Sequence, residues 1–116
     1  MLISLDYQSR TPIYEQIVLE IERYVALGIL KTEDQLPSIR ELATELGINP
    51  NTVKKAYSIL ESKGAIVTLS TKGTFISIHT KKVIQEKIES KISEIKNIIG
   101  ELEKLGLTKE EIIKRI

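Results

Sequence analysis

Apolar residues recur at helical spacing from early in the chain: Ile13, Ile17, Ile21 and Val25 stand four apart, and Tyr14, Val18, Tyr24 and Leu27 widen that face. Thr11 is placed to cap this helix, Pro12 falls in its first turn where a missing N–H costs nothing, and Gly28 marks its end. The stretch from Ile29 to Pro37 holds Lys31, Glu33, Asp34 and Gln35 and reads as a surface connection. A second helix then starts sharply at Ser38-Ile39-Arg40-Glu41, a capping box in which serine and glutamate each satisfy the other's amide. Ile39, Leu42, Ala43 and Leu46 form its buried face, and Gly47 supplies the left-handed C-cap.

Only Gly47-Ile48-Asn49 separate this helix from a third, opened by Asn49 as cap and Pro50 at the first helical position and running to about Lys63. Val53, Ala56, Tyr57 and Leu60 are its apolar face, and Gly64 closes it. Two short helices about a tight glycine-containing turn predict a helix-turn-helix. Ala65–Leu69 and Thr74–Ile78 are rich in strand formers and flank the polar loop Ser70-Thr71-Lys72-Gly73, which predicts an antiparallel hairpin. From about Thr80 the pattern becomes alternating Lys and Glu, with Ile84, Ile88, Ile92, Ile95, Ile99, Leu102 and Leu105 making one apolar stripe along a helix of roughly 25 residues. Gly100 weakens that helix by about 1 kcal/mol relative to Ala. Gly106 breaks it, and the capping box Thr108-Lys109-Glu110-Glu111 opens a short last helix with Ile112, Ile113 and Ile116.

The fold class expected is mainly α with a small β-hairpin: a winged helix-turn-helix over residues 1–79, followed by a helical tail over 80–116. Its core must be aliphatic, since the chain has no Trp and one Phe. Without Cys there are no disulfides, thiolate nucleophiles or thiolate metal sites, and His79 has no second His or acidic cluster beside it in sequence, so a solvated strand end is its expected role. No nucleophile–base arrangement can be assembled, which argues against an enzyme; neither metal nor cofactor is expected. Met1–Asp6 lacks the basic and apolar regions of a signal peptide, and no apolar run approaches bilayer length, so the expected location is the cytoplasm, with no membrane partner.

Charge alters the picture less than placement does. The net charge is +1, and residues 31–79 hold six bases (Lys31, Arg40, Lys54, Lys55, Lys63, Lys72) against five acids (Glu33, Asp34, Glu41, Glu45, Glu61). A nonspecific nucleic-acid coat is therefore disfavoured. With its apolar side turned inward, the third helix exposes Asn51, Thr52, Lys54 and Lys55 near its N-terminus, where a recognition helix reads bases. Asn pairs bidentately with adenine, Thr offers a hydroxyl or a methyl, and Lys reaches guanine or phosphate. Arg40 lies exposed beside that helix, available to a phosphate or a base edge, and Lys72-Gly73 at the hairpin tip can meet phosphate or the minor groove.

The ordered series Pro12-Ile13-Tyr14-Glu15-Gln16-Ile17, Leu36-Pro37-Ser38-Ile39-Arg40-Glu41-Leu42-Ala43, Asn49 to Tyr57, Leu60-Glu61, Gly64 and Lys72-Gly73-Thr74-Phe75 resembles the winged-helix domain of the GntR family of bacterial transcription regulators. The resemblance implies that Arg40, Asn49, Asn51, Thr52 and Lys54, with Lys72 and Gly73 in the wing, face DNA. Residues 80–116 are too few for the effector-binding or aminotransferase-like domains of larger members and resemble the YtrA-type subfamily, whose short helical tail mediates dimerisation. The resemblance thus implies a homodimeric repressor on a palindromic operator, read through helix 49–63 and wing 65–78. Its stripe residues Ile84, Ile88, Ile92, Ile95, Ile99, Leu102 and Leu105 would pair two copies, because a charged helix with a continuous apolar seam otherwise exposes a large patch. Folding of that stripe back onto its own winged helix is the alternative for the tail. A winged-helix module for a protein partner is the alternative for the whole chain. No residue is assigned to a small-molecule effector.

Overall fold

The computed structural model describes all residues from Met1 to Ile116. In order along the chain come α1 (Ile13–Ala26), β1 (Gln35–Leu36), α2 (Ile39–Leu46), α3 (Pro50–Ser62), β2 (Ile66–Leu69), β3 (Gly73–Ile76), α4 (Thr80–Lys104) and α5 (Lys109–Lys114). They form two compact units, Met1–Ile84 and Gln85–Ile116. The expected fold class holds: helices dominate, and the hairpin β2–β3 that follows the helix-turn-helix belongs to a small antiparallel sheet.

In the first unit α1 and α2 both pack on α3. Ile17, Ile21, Leu42, Val53 and Leu60 meet in an aliphatic core, all but sealed from solvent. The capping box of α2 forms in full: Ser38 N donates to Glu41 Oε1 at 3.0 Å, and Glu41 N donates to Ser38 Oγ at 3.1 Å. Gly47 follows at φ 65°, the left-handed conformation that lets the chain reverse within three residues.

Three local expectations change. Thr11 does not cap α1; Pro12 stands at the N-cap, one residue before the helix, and no side chain bonds to the free amides there. Instead the Gln16 side chain ties the leader to the helix, donating to the carbonyls of Thr11 and Asp6, both at 2.9 Å, while its Oε1 accepts from Asp6 N. The stretch 29–37 is not simply a connection, because Gln35 and Leu36 pair with Phe75 and Thr74 as β1. Burying Leu36 and covering the open edge of β3 give the physical reason. Gly73 opens β3 opposite Leu69 rather than lying in the loop, so the hairpin turn is Ser70–Lys72, closed by Lys72 N donating to Leu69 O at 2.8 Å.

The sheet order is β1-β3-β2. Ile66 and Ile76 are paired and buried, while Val67 and Leu69, which alternation turns to the other face, are exposed. In the second unit Gly106, at φ 102°, turns the chain after α4, and Thr108 and Glu111 complete a second capping box. Ile112 of α5 is buried, and it lines with Ile95, Ile98, Ile99 and Leu102 of α4 an open apolar groove of about 450 Å³.

Candidate nucleic-acid interface

The exposed end of α3 is built by its cap. Asn49 is extended, its Oδ1 accepts from Asn51 N at 2.8 Å, and Pro50 holds the first helical position. Val53, Ala56, Tyr57 and Leu60 are buried, which leaves Asn49, Asn51, Lys54 and Lys55 exposed and Thr52 half-buried. Tyr57 pins α3 to the start of the turn motif: its hydroxyl donates to Pro37 O at 2.7 Å. Burial above all, then the carboxylates of Glu45 and Glu41, push this phenol well above its ordinary pKa, so it remains a donor.

Two of the expected bases converge. Arg40 and Lys54 line one open groove of about 470 Å³, bounded by Ser38, Ser58 and the wing residues Thr68 and Thr74. Glu41 borders the same groove, but its carboxylate is engaged by Ser38. Hydrogen bonds from the Ser38 backbone N–H, and then from its hydroxyl, hold the Glu41 carboxyl below its ordinary pKa. Lys55 lies outside that groove, toward α1, its Nζ 4.0 Å from the centroid of the Tyr14 ring. The phenol therefore acts as a shelf for the ammonium.

Lys72 is exposed at the wing tip and Gly73, at φ 115°, stands where the strand resumes. Sequence reasoning missed Gln35, which donates from Nε2 to Lys72 O at 3.1 Å. It missed the Tyr14 shelf as well, since each partner is an unremarkable residue far away in sequence. His79 is exposed as expected, but it lies in the turn before α4, three residues beyond the end of β3, rather than at a strand end.

Of the tail stripe, Ile88, Ile92 and Ile95 are exposed along α4, Ile99 and Leu102 are half-buried, and Leu105 lies in the turn beyond the helix, largely open. Ile84 packs on the core of the first unit. Ile98 and Leu107, outside the expected stripe, join the apolar groove. No cluster of three or more His, Asp or Glu side chains is placed to hold a metal ion. No helix is long and apolar enough to cross a membrane.

Two helices about a glycine turn, a paired hairpin after them, and amides and cations bared at the start of the second helix define a winged helix-turn-helix of the DNA-binding class. The model of the bacterial regulatory proteins of the gntR family matches residues 13–76, and the chain belongs to that family of DNA-binding transcription regulators, which are not enzymes. It is 46% identical over 101 residues to the HTH-type transcriptional repressor YtrA of Bacillus subtilis, covering 87% of this chain and 75% of that protein. A transcriptional regulator from Oenococcus oeni shares the fold at a TM-score of 0.78 and 39% identity, over 97% of this chain and 94% of that one. AraR(DBD) in complex with operator ORR3 matches at a TM-score of 0.56 and 26% identity, over 66% of this chain and 93% of that one.

Proposed function

We propose that this regulator is a repressor that works in the cytoplasm as a homodimer on an approximately palindromic operator. Residues 1–79 read DNA, and residues 80–116 pair the two copies. The observation that carries the reading is the tip of α3, which bares Asn49, Asn51, Lys54 and Lys55 beside a half-buried Thr52 and shares a groove with Arg40 through Lys54. In this reading Asn51 and Thr52 meet base edges, while Arg40, Lys54, Lys55 and Lys72 hold phosphates and Gly73 lets the wing backbone approach the duplex. Similarity to a protein named as a repressor supports the direction of regulation. The similarity to a domain bound to an operator supports the docking face.

The homodimer rests on the apolar face of the tail. Ile88, Ile92, Ile95 and Ile98 are each more than two-fifths exposed in the single chain. A second copy covers such a face with its own, and a two-fold pair then meets half-sites about one duplex turn apart, roughly 34 Å. The test is selection of bound duplexes from a random library, followed by gel shifts with Asn51→Ala and Arg40→Ala. A palindromic consensus, bound at least tenfold more weakly by each variant, is the expected result. Selection of no consensus, or variants that bind it as wild type does, overturns the assignment.

A further inference from the structure

We propose that Gln35 positions the wing tip and, through it, the point at which Lys72 meets the duplex; this rests on the reading of Lys72 as a DNA contact. Two features of the turn meet at the same side chain. Gln35 Nε2 donates to the Lys72 carbonyl at 3.1 Å, a bond between residues 37 apart in sequence. The next residue, Gly73, is one whose absent side chain makes room for that amide: a Cβ built there would stand 2.6 Å from Gln35 Nε2. At φ 115° the backbone of Gly73 also lies where side chains are strained.

The strand that delivers Gln35 is itself anchored. Leu36, paired with Thr74, is buried, and on the other side Glu33 N donates to Ile76 O and Ile76 N donates to Asp34 O, both at 2.8 Å. β1 therefore gives a fixed base from which an amide reaches the turn. The neck of the turn is closed by Lys72 N donating to Leu69 O and by the pairing of Leu69 with Gly73. A two-residue strand has little stabilising value by length alone. Its role is to carry Gln35 to the peptide between Lys72 and Gly73, so that the tip does not have to be ordered when DNA binds. Gln35 touches no base or phosphate in this scheme; it acts through Lys72.

The experiment compares wild type with Gln35→Leu, Lys72→Ala and the double variant. Leucine keeps the bulk of the side chain and removes the donor. Backbone amide relaxation in the free protein reads the first consequence: order at residues 70–73 falls in Gln35→Leu while α2 and α3 stay unchanged. Binding to the duplex selected by wild type reads the second. Gln35→Leu weakens it on the order of two- to fivefold, the size of one hydrogen bond, and has a smaller effect in the Lys72→Ala protein. Unchanged order at the tip overturns the proposal. So does equal weakening by Gln35→Leu with and without Lys72, and so does a Lys72→Ala protein that binds as wild type does. If wild type selects no duplex, the operator reading itself fails, and relaxation alone still decides whether Gln35 holds the tip.

Discussion

Replacing Ile95 with Glu tests whether the tail joins two copies. Ile95 lies at the middle of the exposed stretch of α4 and lines the apolar groove; it is 52% exposed in the single chain. An isoleucine at that exposure leaves about 100 Å² open, and covering it stabilises by about 2.5 kcal/mol at ~25 cal/mol per Å². A two-fold pair covers it twice, so losing both contributions costs about 5 kcal/mol, or ~10³- to 10⁴-fold in dissociation constant. Carboxylates in the seam add desolvation to that loss. Sedimentation of wild type at micromolar concentration should give a dimer and of Ile95→Glu a monomer, whereas Lys96→Glu, one position away on the exposed charged surface, stays dimeric. On DNA the Ile95→Glu protein should lose its preference for the full palindrome and retain its weak affinity for a half-site, because the α3 tip is untouched. A stable Ile95→Glu dimer refutes the pairing surface. Equal loss on full and half-sites refutes the division of labour between the two parts.

Three further outcomes follow from side chains at the core and the interface. Leu42 is fully buried in the core; Leu42→Ala should cost about 2–5 kcal/mol in a urea titration, and a loss below 1 kcal/mol would mean that α2 is not packed as described. Tyr14→Leu should weaken operator binding by less than such a ring–cation contact is worth, about 0.5–1 kcal/mol, since the contact already exists in the free chain and only its ordering of Lys55 is lost, and should do nothing in a Lys55→Ala background; additive effects would separate the two residues. Glu41 should titrate below its ordinary value of 4.5, because Ser38 hydrogen bonds favour its charged form. Its support of α2 is then present above that pH and lost as the pH falls through the folded value, so Glu41→Gln should flatten the acid side of the stability profile. Carbon-detected titration showing a Glu41 midpoint at or above 4.5 would contradict this.

What the sequence made legible is chemistry that closes within a few residues. Ser38 with Glu41, Thr108 with Glu111, and Asn49 before Pro50 are helix starts whose donors and acceptors lie within one turn, and all three form. The apolar faces of α1, α2 and α3 were legible for the same reason, since periodicity is local, except at Leu27, which caps α1 and is exposed. Thr11 misled because a helix start can also be secured from inside: Gln16 reaches back to two leader carbonyls and leaves no need for a cap. β1 escaped notice because two residues, one of them polar, carry no alternation to read; pairing with β3 makes them a strand. Gln35 on Lys72 and Lys55 on Tyr14 stayed hidden because their chemistry is generic and their partners are brought near only by the fold.

A net charge of +1 makes the number of phosphate contacts a sharper measure of this interface than its bulk field. Arg40 and Lys54 share one groove, Lys55 lies outside it toward α1, and Lys72 is at the wing tip. Four cations per copy, if each displaces one counterion from a phosphate, give eight for a pair, and the logarithm of affinity should then fall against the logarithm of salt with a slope of about −7. The monomeric Ile95→Glu protein on a half-site should give about half that slope, because its four contacts remain and only the partner's are gone. Lys72→Ala and Lys55→Ala should each lower the dimer's slope by about 2, one contact per copy, while Asn51→Ala lowers affinity and leaves the slope alone, since in the proposed reading it meets a base and releases no counterion. A wild-type slope no steeper than about −4 means that half of these bases face away from DNA. An Asn51→Ala slope shallower than wild type moves Asn51 from base readout to the phosphate backbone.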